Sequence, residues 1–315
     1  MKNEKRDFSN SKIFIIGDVM LDKYYFGCVE RISPEAPVPI VKIGKEESRL
    51  GGAANVANNI ASLGGQPLLC GAIGYDFFGK EIEHMSKQKN IRTMFLKVPC
   101  PTITKARIIG GKQQIVRVDY ADRTELKNND QKMLREIVRS YLPDYDVLVI
   151  SDYGKGLISE EFCTYLIRYA HKIGKKIIVD PKGNNWKKYS GADIVTPNVK
   201  ELSDIIGYSV PNTDRAVEKA AREVLEANQL TSLLVTRSDK GMSLISDIPP
   251  IHIPTHSEEV FDVSGAGDTV VATLSLCLAA GYDMTTAMKT ANIAAGIVVK
   301  KIGTATLTIE ELTQN

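Results

Sequence analysis

The segment Asp262-Val263-Ser264-Gly265-Ala266-Gly267-Asp268-Thr269 follows an extended stretch and opens a run rich in Ala, Val and Leu. Glycines at a helix entry let backbone N–H groups approach an anion, and the helix dipole favours negative charge there. Asp268 then falls in the first turn, beside an anion hole made by Gly265, Ala266 and Gly267. A carboxylate so placed can take the proton of a hydroxyl group as its oxygen attacks phosphorus. Other glycine signatures fit less well. A dinucleotide fingerprint needs a third glycine where Val270 stands, and a Walker A loop needs Gly-Lys-Ser/Thr. Taken alone, the segment also reads as a Gly-rich turn with an acidic residue opening a helix.

Several further residues carry two readings. Asn198 and Glu201, in Thr196-Pro197-Asn198-Val199-Lys200-Glu201, have the spacing of a capping box at a helix start. Gly51-Gly52 reads as a helix-entry turn, Asn55 as a solvated helix residue and Asp18 as a strand-end cap.

The elements that must position these residues follow a regular rhythm. Strand-length apolar runs occur at residues 13–16, 68–73, 147–150, 176–179, 193–195 and 233–236. They are nearly continuous rather than alternating, as strands covered on both faces are. Amphipathic stretches at 53–63, 77–90, 127–141, 159–173, 198–206 and 214–228 lie between them. The alternation predicts an α/β fold with a doubly wound, mainly parallel sheet flanked by helices. Two stretches depart from it. Residues 103–119 predict a β-hairpin turning at Gly110-Gly111, and residues 24–43 are extended, with Pro34, Pro37 and Pro39 forbidding a helix. Together they predict a small protruding β-sheet, a lid over the cleft or a subunit contact. From Gly265 to Lys301 two closely packed helices meet near Gly281-Tyr282-Asp283. One domain over residues 11–312, carrying a lid, accounts for the pattern.

Composition narrows the class. Of 315 residues, 43% are hydrophobic and 25% charged, and the net charge is +2. That is a soluble globular chain with no electrostatic signature of a nucleic-acid or membrane-surface binder. The five cysteines are widely spaced with no C-x-x-C pair, which points to a reducing compartment, here the cytoplasm, rather than a disulfide framework. The apolar run after Lys12 is broken by Gly17-Asp18, short of a signal peptide or a membrane span. Pro254 between His252 and His256 prevents a helical zinc pair.

Ser264-Gly265-Ala266-Gly267-Asp268 resembles the C-terminal signature of the ribokinase-like (PfkB) sugar kinases. Gly51-Gly52-Ala53-Ala54-Asn55-Val56-Ala57 followed by Leu63-Gly64 resembles their N-terminal one. The resemblance implies that Asp18, Gly51, Gly52 and Asn55 contact the sugar. It also implies that Asn198 and Glu201 hold Mg²⁺ and the nucleotide phosphates through water, with Val199 and Lys200 in the same motif. Thr236 to Gly241 resembles the stretch beneath the nucleotide. Longer segments push the likeness to the D-glycero-β-D-manno-heptose 7-phosphate kinases. These are Gly17–Asp22, Arg31–Pro39, Pro101–Lys105, Ser151–Gly156 and Asp180–Gly183, and the likeness covers residues 11 to 312.

The implied reaction is phosphoryl transfer from ATP·Mg²⁺ to O1 of the heptose 7-phosphate, with Asp268 as base. A monovalent cation is an optional third cofactor. Lys105, Arg107, Lys155 and Lys182 are candidates for the substrate's own phosphate, with Asp152 beside them. The lid strands are the candidate contact of a homodimer. In many relatives a nucleotidyltransferase is fused behind the kinase, so that partner is expected either on the same chain or separately. The rivals are another kinase of the family, such as a fructokinase or phosphofructokinase, a non-catalytic sugar- or nucleotide-binding regulator, and a nicotinamide-dependent oxidoreductase.

Overall fold

Along the chain, β1 (Lys12–Gly17) is followed by a long hairpin, β2 (Val19–Ile32) and β3 (Pro39–Gly52), then by α1 (Ala53–Ser62), β4 (Gln66–Gly74), α2 (Phe77–Gln88) and β5 (Arg92–Val98). A second hairpin, β6 (Thr104–Gly110) and β7 (Gln113–Tyr120), leads to α3 (Asn128–Tyr141), β8 (Val147–Ser151), α4 (Glu160–Lys172), β9 (Lys176–Asp180) and β10 (Ile194–Val195). Then come α5 (Val199–Ile206), α6 (Asp214–Asn228), β11 (Leu233–Thr236), β12 (Met242–Ile245), β13 (Ile251–Ile253), α7 (Ala266–Ala279), α8 (Met284–Val298) and α9 (Ile309–Thr313). The computed structural model describes residues 7–111, 113–124, 126–255 and 260–314.

The main sheet has nine strands in the order β13-β12-β11-β10-β9-β8-β1-β4-β5. All its pairings are parallel except the edge ladders β11–β12 and β12–β13. In β1, Ile13 and Ile15 enter an apolar core shared with α1, α7 and α8, while Phe14 and Ile16 enter a second shared with α3, α4 and α6. Both faces of the strand are therefore dry, which explains its unbroken apolar sequence. The strand order reverses at β1, between β4 and β8. In a doubly wound sheet that switch point opens a crevice at the carboxyl ends of the strands.

The second sheet has four strands, β3-β2-β6-β7. β2 pairs antiparallel with β3 from Val19↔Gly52 to Ile32↔Pro39 and parallel with β6 from Leu21↔Thr104 to Gly27↔Gly110. This is the predicted lid, but its strands run from 19 to 52 rather than 24 to 43. In β2 the base, Val19–Tyr24, is buried beside the main sheet and the tip is exposed, while the edge strand β7 is exposed along its whole length. Pro34 and Pro37 lie in the hairpin turn and Pro39 opens β3, so the prolines mark the tip and not the whole element. Strands β5, β12 and β13 were not anticipated. α7 is buried on nearly every side, from Asp268 to Leu278, so the helix carrying the glycine turn is fixed in the core. No helix among the described residues is long and apolar enough to cross a membrane.

Candidate active site

The crevice at the switch point collects the chemistry. Asp18 follows β1, Asp152 and Tyr153 follow β8, Asp180 ends β9, and Asn198 follows β10. The amino end of α7 faces them across a pocket of about 160 Å³ that Gly265, Gly267 and Asp268 help to line.

Asp268 is 3% exposed. Its Oδ2 accepts from Asn55 Nδ2 at 2.7 Å and its Oδ1 from the Tyr153 hydroxyl at 2.7 Å. Burial raises its pKa to about 6, opposed by the hydrogen bonds from Asn55 and Tyr153. Asp22 pushes further upward and Lys105 pulls downward. At pH 7 the carboxylate is therefore ionised by roughly ten to one, a base poised near the working pH.

Gly265 caps α7 with φ +79°, and a Cβ there would lie 2.7 Å from Asn55 Nδ2. The Ala266 amide turns back onto the Val263 carbonyl at 3.2 Å. The amides of Gly265 and Gly267 have no backbone acceptor among the described residues, so the predicted three-residue anion hole offers two donors. Asp262 pins the turn from outside by accepting from the Ser264 and Gly303 amides at 2.9 and 2.8 Å.

Outside that pocket lining, at the entry to α1, Gly52 has φ +58°, and a Cβ would meet the Asp18 carbonyl at 2.4 Å; one on Gly51 would meet Asp22 Oδ2 at 2.5 Å. Asp18 lies here as expected, but its carboxylate is already engaged. It accepts the amides of Tyr153 and Lys155 at 2.9 Å and of Leu157 at 3.1 Å, folding the loop after β8 around itself. Burial raises the Asp18 pKa against those three bonds. Asp152 is likewise occupied: Lys188 pairs with it, the Tyr189 hydroxyl donates at 2.7 Å and the Gly154 amide at 2.7 Å.

Asn198 and Glu201 form the capping box, with the Glu201 amide donating to Asn198 Oδ1 at 2.8 Å and the Asn198 amide to Glu201 Oε2 at 3.1 Å. Lys182 adds an ion pair to Glu201 Oε1 at 2.8 Å. Both residues line the pocket, as does Thr236. Val199 and Lys200 do not; Lys200 points away and pairs with Asp204 at 2.6 Å. Gly241 closes a turn with φ +78°, where a Cβ would lie 2.0 Å from the Ile253 carbonyl, and stands outside the pocket. Asp180 reaches the pocket with no side-chain hydrogen bond among the described residues. Burial first, then the charge of Asp268, pushes its pKa well above the usual carboxylate range. Carboxylates gathered this way call for a cation. The described residues hold no cluster of three or more His, Cys, Asp or Glu able to cage a metal. An ion such as Mg²⁺ keeps waters and phosphate oxygens as ligands and needs only one or two protein groups.

The lid contributes the positive charge. Arg107 pairs with Asp22 at 2.6 Å. Arg107 and Arg49 stack on the Tyr24 ring, at 5.2 and 4.9 Å from its centre. Lys105 lies 5.8 Å from the centre of the Tyr153 ring and makes no ion pair among the described residues. Burial holds its ammonium below the usual lysine pKa. Lys155 is paired with Asp122. Tyr153, Asp22, Asp180, Arg49 and Lys188 were not singled out from sequence. Tyr153, Asp22 and Asp180 had a local cue in their places within the segments Ser151–Gly156, Gly17–Asp22 and Asp180–Gly183; Arg49 and Lys188 had none.

The sequence matches the pfkB family carbohydrate kinase domain over residues 10–311. The chain belongs to that family. It is an ATP-dependent sugar kinase by that membership, with a ribokinase-like fold. The kinase is 46% identical to the bifunctional protein HldE of Chromohalobacter salexigens over 314 residues, 99% of this chain and 65% of that protein. It is 41% identical to HldE of Proteus mirabilis with the same coverage. The chain thus spans 65% of the length of the curated relatives it matches. Phosphofructokinase-2 from Escherichia coli, solved in complex with potassium, superposes with a TM-score of 0.80 at 21% identity, covering 97% of each chain. Ribokinase from Thermotoga maritima gives 0.73 at 23% identity, covering 96% of this chain and 98% of that one. At such identities the likeness is one of fold.

Proposed function

We propose that this kinase phosphorylates D-glycero-β-D-manno-heptose 7-phosphate at O1, giving the 1,7-bisphosphate, a step toward ADP-heptose for the lipopolysaccharide core. The observation that carries the chemistry is Asp268, buried, held by two donors and poised at the amino end of α7. The choice of acceptor leans on the 46% identity to HldE across 99% of the chain.

Bound ATP·Mg²⁺ supplies the phosphoryl group. Asp268 takes the proton of the O1 hydroxyl as that oxygen attacks, and the Gly265 and Gly267 amides meet the charge on the transferring group. Asn198 and Glu201 would hold the ion through water, with the Asp180 carboxyl group beside them. Thr236 lies under the nucleotide. Gly51, Gly52 and Asn55 form the sugar wall, while Asp18 orders the loop that brings Tyr153 and Lys155 in. Lys105 and Arg107, on the inner lid strand, are placed for the 7-phosphate. Arg107, Lys155 and Lys182 would each have to exchange a present carboxylate partner to bind it. A nucleotidyltransferase, carried on the same polypeptide or on another, would act on a later product, after the 7-phosphate has been removed by hydrolysis.

The test is ADP release with Mg·ATP against heptose 7-phosphate, fructose 6-phosphate, fructose 1-phosphate, fructose and ribose. Turnover confined to the heptose phosphate is the expected result. Turnover on another sugar alone would keep the mechanism and discard this acceptor. Silence on all five would bring the non-catalytic binding protein forward.

The lid strands also make the proposed homodimer contact. Val116 and Val118 on β7 and Ile32 at the end of β2 are exposed apolar side chains on one small sheet. Val116→Asp should turn a dimer into a monomer in sedimentation velocity. A wild-type protein that sediments as a monomer at micromolar concentration removes the contact.

A further inference from the structure

Tyr153 holds a relation to the base that the transfer chemistry alone does not demand. Its hydroxyl donates to Asp268 Oδ1 while Asn55 Nδ2 donates to Oδ2, each at 2.7 Å. A carboxylate has about four acceptor positions, so each oxygen keeps one for an incoming hydroxyl. The terminal torsion of an aspartate is soft, and a single donor leaves the group free to swing. Two donors from different elements remove that freedom.

The two supports are built differently. Asn55 stands on α1, where Asn59 Nδ2 donates to its carbonyl at 2.9 Å and Thr269 Oγ1 donates to Asn59 Oδ1 at 3.0 Å. Tyr153 comes from the loop after β8, which the Asp18 carboxylate gathers by three amides. The Tyr153 ring is flanked by the Lys105 ammonium of the lid. Burial first, and then the charge of Asp268, hold the phenol well above pKa 10, so it remains a donor and never competes for the proton. The charged groups facing Asp268 are Asp22 of β2, Lys105 of β6 and Asp180 at the end of β9; Asn55 and Tyr153 are its neutral partners.

We propose that Tyr153 is a positioning residue for phosphoryl transfer, fixing the Asp268 carboxylate toward the acceptor hydroxyl and setting the pH at which that base becomes available. The inference rests on Asp268 being the base. Tyr153 acts through Asp268, and Asp18 acts through the loop that delivers Tyr153. Losing the phenol removes a bond to the ionised form, so the proton is held more tightly and the acid limb of activity moves to higher pH.

The experiment is a pH profile of kcat and kcat/KM, with the acceptor the panel identifies, for wild type, Tyr153→Phe and a protein carrying 3,5-difluorotyrosine at position 153. Asp268→Asn is run beside them. The wild-type limb is expected near pH 6, where Asp268 titrates. Tyr153→Phe should move it up by about one unit and lower kcat about tenfold, the scale of one charge-assisted hydrogen bond, with KM changed less than about threefold. Difluorotyrosine keeps the shape and donates more strongly, so its limb should move down. Opposite shifts in two proteins of the same fold are not produced by a packing role. A wild-type limb near 6 that neither replacement moves overturns the role of Tyr153 and leaves the base standing. A Tyr153→Phe protein in which KM alone rises overturns that role as well. A wild type without that limb, or a fully active Asp268→Asn, removes the base itself and the inference with it.

Discussion

Asp268→Asn is expected to lower kcat by roughly 10²–10⁴-fold, the usual size of a general-base contribution, while the protein folds as before. The amide has the shape of the carboxylate but cannot accept a proton at neutral pH. Its carbonyl oxygen can keep the bond from Asn55, and its NH₂ would then meet the Tyr153 oxygen, which accepts as readily as it donates. No buried donor need be stranded, and the cost of holding an ionised group at 3% exposure disappears. Thermal unfolding should therefore shift little in either direction. ADP release under saturating substrates, read beside a melting curve, checks both halves. Unaltered turnover in a folded variant would end the assignment of this carboxylate as the base.

How far the fold could be read from the sequence depended on whether burial was written locally. β1, β8, β9 and β11 are dry on both faces, so their apolar runs are unbroken and their positions are plain. β5 borders the sheet and mixes exposed, half-buried and buried residues, and β12 and β13 have four and three residues. None of these carries a strong period of its own. The lid was legible at its tip, where prolines exclude a helix, and hidden at its base. There Val19-Met20-Leu21 is as apolar as a core strand because it is one on that side.

The site divides along the same line. Gly52 and Gly265 have positive φ and Asn55 sits one helical turn beyond Gly52, so backbone conformation wrote them into short motifs. The partners of those residues left no such trace. Tyr153 reaches Asp268 across 115 positions and Arg107 reaches Asp22 across 85. Such pairs are set by how strands stack, and a tyrosine or an arginine looks the same in sequence whether it meets a carboxylate or water. The surroundings of Asp18 and Asp152 were hidden for the same reason. Both stand at strand ends, and their oxygens are shared by amides, a lysine and a tyrosine that only the folded chain brings together.

The glycines of the turn make different demands, and this sets the second large effect. Gly265 has φ +79° and no room: an added Cβ would stand 2.7 Å from the Asn55 amide nitrogen that holds Asp268. Gly265→Ala should cost about 1–3 kcal/mol of stability from the strained backbone and lower kcat/KM by at least about 10²-fold. Both the amide aimed at the phosphoryl group and the Asn55 bond are disturbed at once. Gly267 lies within α7 with nothing within 4 Å of its added Cβ. Gly267→Ala should fold at least as well, because alanine favours a helix by about 0.5–1 kcal/mol. Its methyl group would occupy pocket space, so the KM for ATP should rise about tenfold with a smaller change in kcat. Melting curves and ATP titrations of the two variants separate strain from obstruction. Wild-type kinetics in Gly265→Ala would mean that the amides of this turn do not meet the transferring phosphate. Wild-type ATP affinity in Gly267→Ala would place the nucleotide elsewhere along the crevice.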